Sequence, residues 1–105
     1  MVIKVVQLYI TPAALDLIAA HHAEEGDAYN TAASYILRHH RGDWGEVDAR
    51  DSRSNDAAVQ SGDRILSAYT QPCTNRSTCP HGEHELWVIT DPGHRVTTLL
   101  RPQDY

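Results

Sequence analysis

The residues with the most chemistry to offer lie in three places. Cys73, Cys79, His81 and His84 put two thiols and two imidazoles within twelve residues. That donor set suits tetrahedral zinc, and four protein ligands leave no open coordination position, so such a site would be structural. The spacing, five residues between the cysteines and two between the histidines, is not that of a standard zinc finger. A Cys73–Cys79 disulfide or a loop with free thiols fits the same residues. His39, Arg64, Tyr69, His94 and Arg95 combine proton-transfer groups with guanidinium forks that hold phosphate. Brought together, they would cleave RNA without metal. His39 would take the proton from a ribose 2′-hydroxyl, Arg64 and Arg95 would stabilise the pentavalent phosphate, and His94 or Tyr69 would protonate the leaving oxygen. The plainer alternative has His39 bonded inside the core, Arg64 paired with Asp43 or Asp63, and His94 serving a turn. The third place is Asp43-Trp44-Gly45, where an exposed indole would anchor a protein partner. A Trp that follows a helix end also commonly covers the edge of a core.

These residues must be positioned by elements that the patterning makes visible. Val2 to Ile10 is β-branched and apolar apart from Lys4 and Gln7, the composition of a covered strand. Thr11-Pro12 opens a helix expected to run to about Glu25, with Ala14, Leu17, Ile18 and His21 on one face and Gly26 as its stop. Asp27 caps a second helix whose inner stripe is Ala28, Ala32, Tyr35, Ile36 and His39. It should end near Arg41-Gly42. A short helix from about Ser54 to Ser61 is closed by Gly62. Strand-like runs follow at Arg64 to Thr70, Glu85 to Thr90 and Arg95 to Arg101. Asp91-Pro92-Gly93-His94 between the last two reads as a reverse turn, which would set Val88 beside Thr97 and Ile89 beside Val96.

Composition limits the function classes. Nine Lys and Arg against 14 Asp and Glu give a net charge of -5, the wrong sign for a general nucleic-acid coat protein. Between Gly42 and Asp63 six acidic residues meet only Arg50 and Arg53, so this segment holds -4 of that charge. It is either a solvated face or a mimic of nucleic-acid phosphates directed at a basic protein groove. No apolar run approaches the ~20 residues that span a bilayer, and the N-terminus lacks a signal peptide's basic region and cleavage site. A cytoplasmic protein with no membrane association is expected. With two cysteines in such a compartment, a disulfide scaffold is not.

Several polar residues fall into a pattern: Arg38-His39-x-x-Gly42-Asp43-Trp44-Gly45, Asn55, Arg64-Ile65-Leu66-Ser67-Ala68-Tyr69, Leu86-Trp87-Val88-Ile89-Thr90, Arg95-x-Thr97-Thr98-x-Leu100 and Pro102-x-Asp104-Tyr105. Together with Gln7 and Thr11-Pro12-x-Ala14-Leu15, it resembles a family of small bacterial proteins associated with plasmids and phages. Some members are labelled type I restriction subunits, a label that a chain of this size without a methyltransferase motif does not support. The resemblance covers most of the chain and implies a mobile-element setting, but no established activity. In one respect the sequence departs from it: relatives join the Ala-Tyr and Leu-Trp strands by a short turn, whereas here Gln71 to His84 intervene. The helices-then-meander order is also similar to that of the barnase, colicin and RelE-like ribonucleases.

The expectation is a single α+β domain over residues 1–105, with two N-terminal helices on a small, mainly antiparallel four-stranded sheet. A Cys/His-rich hairpin insertion would occupy residues 71–84. The functional expectation is a non-catalytic accessory protein of a mobile element that binds a host or defence protein. The alternative is a metal-independent endoribonuclease, the one case in which nucleic acid would be a partner.

Overall fold

The structure, a computed structural model, describes residues 7–20, 27–72 and 83–105. Its elements in chain order are β1 (Gln7–Ile10), α1 (Pro12–Ala20), α2 (Asp27–His40), α3 (Ala49–Ser61), β2 (Ile65–Pro72), β3 (Glu83–Thr90) and β4 (Val96–Leu100), followed by a 3-10 turn at Pro102–Asp104. The four strands form one sheet in the order β1-β4-β3-β2. The mixed α and β architecture is as expected, but two of its details differ. The third helix, expected to be short, has 13 residues, and β1 runs parallel to β4, so the sheet is mixed, with its other two pairings antiparallel.

Local sequence accounts for the helix limits. The Thr11 hydroxyl accepts from the Ala14 N–H (3.2 Å) and donates to an Asp104 carboxylate oxygen (2.9 Å), so the cap of α1 is tied to the C-terminal turn. Asp48 caps α3 by accepting from the Asp51 N–H at 2.8 Å. This cap starts α3 five residues before the expected Ser54, through a stretch without apolar periodicity. Gly62 closes it at a φ of 83°, the left-handed geometry that suits glycine.

Strand phase decides what faces the helices. One row across the sheet reads Leu8, Thr97, Thr90, Ile65, and the next reads Ile10, Leu99, Val88, Ser67. Beyond them Leu86 pairs with Tyr69. Ala14, Ile18, Ala28, Ala32, Tyr35 and Ile36 pack on Tyr69, Leu86, Val88 and Leu99 to make the main core. A second cluster of Trp44, Ala58 and Ile65 lies under α3. The inner stripe expected for α2 is buried at all five positions.

The β3–β4 register differs from the expectation by two residues: Val88 pairs with Leu99 and Ile89 with Thr98. The turn is longer than a four-residue reversal, because His94 takes a φ of 56° after Gly93 at 89°. A slip of two leaves every side chain on its expected face. The β2–β3 ladder extends to Pro72 opposite Glu83, so both strands reach into the segment expected to be a loop.

Candidate functional site

His39 is fully buried, projecting from α2 onto a polar patch of the inward sheet face. Its Nδ1 lies 2.6 Å from the Ser67 hydroxyl on β2, and its Nε2 lies 2.7 Å from the Thr90 hydroxyl on β3. Thr90 meets the Thr97 hydroxyl on β4 at 2.8 Å, and Thr97 lies 3.4 Å from Nε2 of the half-buried His40. A neutral imidazole offers one donor and one acceptor, and rotatable hydroxyls supply whichever is needed on each side. One consistent arrangement has Ser67 donating to Nδ1, Nε2–H donating to Thr90, Thr90 to Thr97, and Thr97 to His40. The Trp44 ring meets His39 edge-on at 5.7 Å between centroids. Burial, with smaller contributions from His40 and His94, pushes the His39 imidazole down to about 3. It is neutral at any pH where the protein would act as a base, and it is sealed from any substrate.

Of the other residues of the ribonuclease constellation, three bond within the chain and one is exposed. Tyr69 is buried and donates to the Asp43 carbonyl at 2.5 Å; desolvation pushes its phenol up to about 12. The Nε2 of His94 lies 2.8 Å from the Asp63 carbonyl oxygen, tying the β3–β4 turn to the end of α3. Arg64 does not pair with Asp43 or Asp63; it donates to the Tyr105 hydroxyl and sits 5.7 Å over that ring. Arg95 is exposed on the turn. A cavity of about 120 Å³ between Asp51, Ser54, Asn55, Arg64 and Leu66 is lined by one of the five, Arg64. With His39 and Tyr69 buried, the five do not share one open cleft.

Asp43 and Trp44 are structural too, which corrects the reading of an exposed recognition corner. Trp44 is buried, with its indole N–H donating to Asp56 at 2.9 Å. Asp43 accepts from Arg38 Nε at 2.7 Å and from the Gly45 N–H at 3.1 Å. The guanidinium beside it holds its carboxyl below the usual range. Arg38 also sits 4.5 Å over the Tyr69 ring, which stacks on Tyr35 at 5.1 Å. Gly45 is required because a Cβ there would lie 2.0 Å from the Ala68 carbonyl oxygen. It lets residues 44–46 run against β2, where the Ala68 N–H donates to the Trp44 carbonyl (3.1 Å) and the Glu46 N–H donates to the Ala68 carbonyl (2.7 Å).

Of the four residues expected to bind zinc, Cys73, Cys79 and His81 lie outside the described residues. His84 is on β3, half-buried, and lines a cavity of about 450 Å³ with Leu17, Glu85, Arg101, Pro102 and Gln103. Among the described residues no three His, Cys, Asp or Glu side chains gather as a metal site would require.

Sequence reasoning missed the hydroxyls that make His39 a core residue. Ser67, Thr90 and Thr97 are each fully buried, and each is in phase with an apolar inward neighbour such as Ile65, Val88 or Leu99. Small polar residues in the apolar phase of three successive strands, opposite a histidine on a helix's inner stripe, were the available signal. Compared with protein-family models, with curated proteins and with solved structures, the chain matches none. No helix among the described residues is long and apolar enough to cross a membrane.

Proposed function

We propose that the chain is a small non-catalytic accessory protein that acts by binding another protein, in the mobile-element setting its sequence resemblance implies. The observation that carries this reading is the internal use of every proton-transfer group the ribonuclease would need: His39 between two hydroxyls, Tyr69 on Asp43, and His94 on Asp63. What the chain offers outward at the β2 side is charge. All six carboxylates between Asp43 and Asp63 are exposed, on α3 and its flanks. Such a face steers association with a basic protein surface, the kind a nucleic-acid-binding host or defence enzyme carries.

The test has two arms. Folded wild-type protein incubated with structured and single-stranded RNA, without divalent metal, should leave no 2′,3′-cyclic phosphate ends. Capture from the native host should retain a basic protein at low salt, release it at high salt, and fail with Asp51→Lys, a position whose carboxylate has no described structural role. Cleavage by wild type, or capture indifferent to both salt and Asp51, would overturn the reading. We further propose, on the ligand chemistry of Cys73, Cys79, His81 and His84, that the hairpin connection holds a structural zinc. Elemental analysis of the purified protein should find about one equivalent, as a complete four-ligand site binds tightly; metal-free protein would overturn it.

A further inference from the structure

The sheet's other edge differs in kind. The N–H groups of Gln7 and Thr11 go to the carbonyls of Arg95, just before β4, and of Leu99 on β4, each at 3.0 Å, so by strand alternation Leu8 and Ile10 turn their own N–H and C=O groups outward. β1 has β4 as its one neighbour in the sheet, and no described residue bonds that outer edge. Beside it runs a groove of about 640 Å³ lined by Leu8, Ile10, Leu15, Tyr29, Ala33, Ile36, Leu37 and His40. Among the described residues, four of the five large exposed apolar side chains, Leu8, Tyr9, Tyr29 and Leu37, lie on β1 or on this stripe of α2. Tyr29, Ala33 and Leu37 repeat every fourth residue, with the small Ala33 at the centre where a second helix would approach closest.

An occupant must therefore bring two things: an uncharged extended strand with apolar residues at alternate positions, and an apolar surface to cover the stripe beside it. Gln7-Leu8-Tyr9-Ile10 is such a strand, and α2 is such a surface. Charge selects the same answer. No residue lining the groove carries a formal charge, while -4 of the net -5 sits between Gly42 and Asp63, on Asp43, Glu46, Asp48 and Asp63 flanking α3, which packs on β2 at the opposite edge of the sheet. Two copies meeting through β1 keep their acidic faces at the far ends. Meeting through β2 would press acid against acid.

We propose that two copies of the chain associate through β1, antiparallel about a twofold axis at Tyr9, into one continuous eight-stranded sheet. Leu8 of each copy exchanges both backbone hydrogen bonds with Ile10 of the other, and the two Tyr9 rings face each other across the axis. The twofold places both α2 helices on the same side of the sheet, stripe to stripe over the joined groove. This inference goes beyond the proposed function and uses the opposite edge, so either can fail without the other.

Sedimentation equilibrium over a dilution series is the deciding measurement. Wild type should be a dimer. Ala33→Glu, at an exposed helical position that glutamate suits, should raise the dissociation constant more than about tenfold while leaving the circular dichroism spectrum unchanged. Leu8→Lys, which puts like charges on the paired edge, should do the same. Asp51→Lys should leave the dimer intact. A wild type that stays monomeric at its solubility limit would overturn the proposal, and so would a dimer that survives both Ala33→Glu and Leu8→Lys.

Discussion

The two edges of this sheet solve the same problem in opposite ways. At β2 the outward backbone groups of Leu66 and Ala68 and the Thr70 carbonyl are taken: the Asn55 amide accepts from the Leu66 N–H and donates to the Leu66 carbonyl, Trp44 and Glu46 bracket Ala68, and the Tyr35 hydroxyl reaches the Thr70 carbonyl. At β1 nothing among the described residues does this for Leu8 and Ile10. An unpaired edge invites another strand, so a protein closes it unless it is to be used. The closed edge is the acidic one and the open edge is the apolar one. Stability and association are thereby assigned to different ends of one small sheet, and each end can be disturbed separately.

The largest effect should come from the closed edge. Gly45→Ala puts a methyl group into the Ala68 carbonyl and the Tyr69 ring, at a φ of 72° that alanine also disfavours. Residues 44–46 would have to leave β2, uncovering Trp44 and stranding the Ala68 backbone groups. A loss of about 3 kcal/mol or more is expected in chemical denaturation. A loss under about 1 kcal/mol would mean that the edge is not closed by this segment.

His39→Ala comes next, because the chain of hydroxyls it joins runs from Ser67 beside the closed edge to His40 beside the open one. The truncation leaves the Ser67 and Thr90 hydroxyls without their partner in a buried cavity, at a cost of about 3 kcal/mol. A well-folded variant with unchanged stability would break the core assignment of this histidine.

Acid should reveal the same residue. Folding lowers the His39 pKa from 6.5 to about 3, so between those values the unfolded chain binds more protons and stability rises with pH. The contribution is complete above pH 6.5 and is lost as pH falls toward 3. His40, lowered by burial, acts in the same direction. From pH ~6.5 to ~5 the loss should be about 2 kcal/mol in wild type. It should be smaller in His39→Gln. This window lies above the carboxylate range, where the depressed Asp43 and Asp104 add their own loss. An equal slope in the variant would assign the effect elsewhere.

How much of this was legible depended on whether the cause was local. The α2 stripe from Ala28 to His39 was readable because 3.6-residue periodicity is a property of the segment itself. The phase of β2, β3 and β4 was readable for the same reason, and it survived a two-residue error in register. That error traces to the left-handed His94, a backbone choice that the Asp63 carbonyl stabilises from outside the turn. The first turns of α3 were missed because Asp48 starts that helix with a cap rather than an apolar stripe. The parallel pairing of β1 with β4 joins residues some ninety positions apart, and no local pattern encodes it. At the candidate site, residue types that suit phosphate chemistry also suit a closed framework. His39, Asp43, Trp44 and Tyr69 are used for the latter, and only the burial of their partners distinguishes the two.

The smallest effect, and the one that most sharpens the contrast between the edges, belongs to Leu37→Ser. Leu37 is 51% exposed on the α2 stripe, so within a single copy its side chain covers little that is not already wet. At high dilution the melting temperature of the variant should match that of wild type, within the ±0.5 kcal/mol expected of a surface change (roughly). At high protein concentration the two should separate. Association adds stability that grows with concentration, so the wild-type melting temperature should climb along a dilution series and the variant's should climb less. A closed-edge substitution such as Gly45→Ala should instead lower the whole series without flattening it. If Leu37→Ser lowers stability equally at every concentration, the stripe is part of the single-copy core and the open edge is not an association surface.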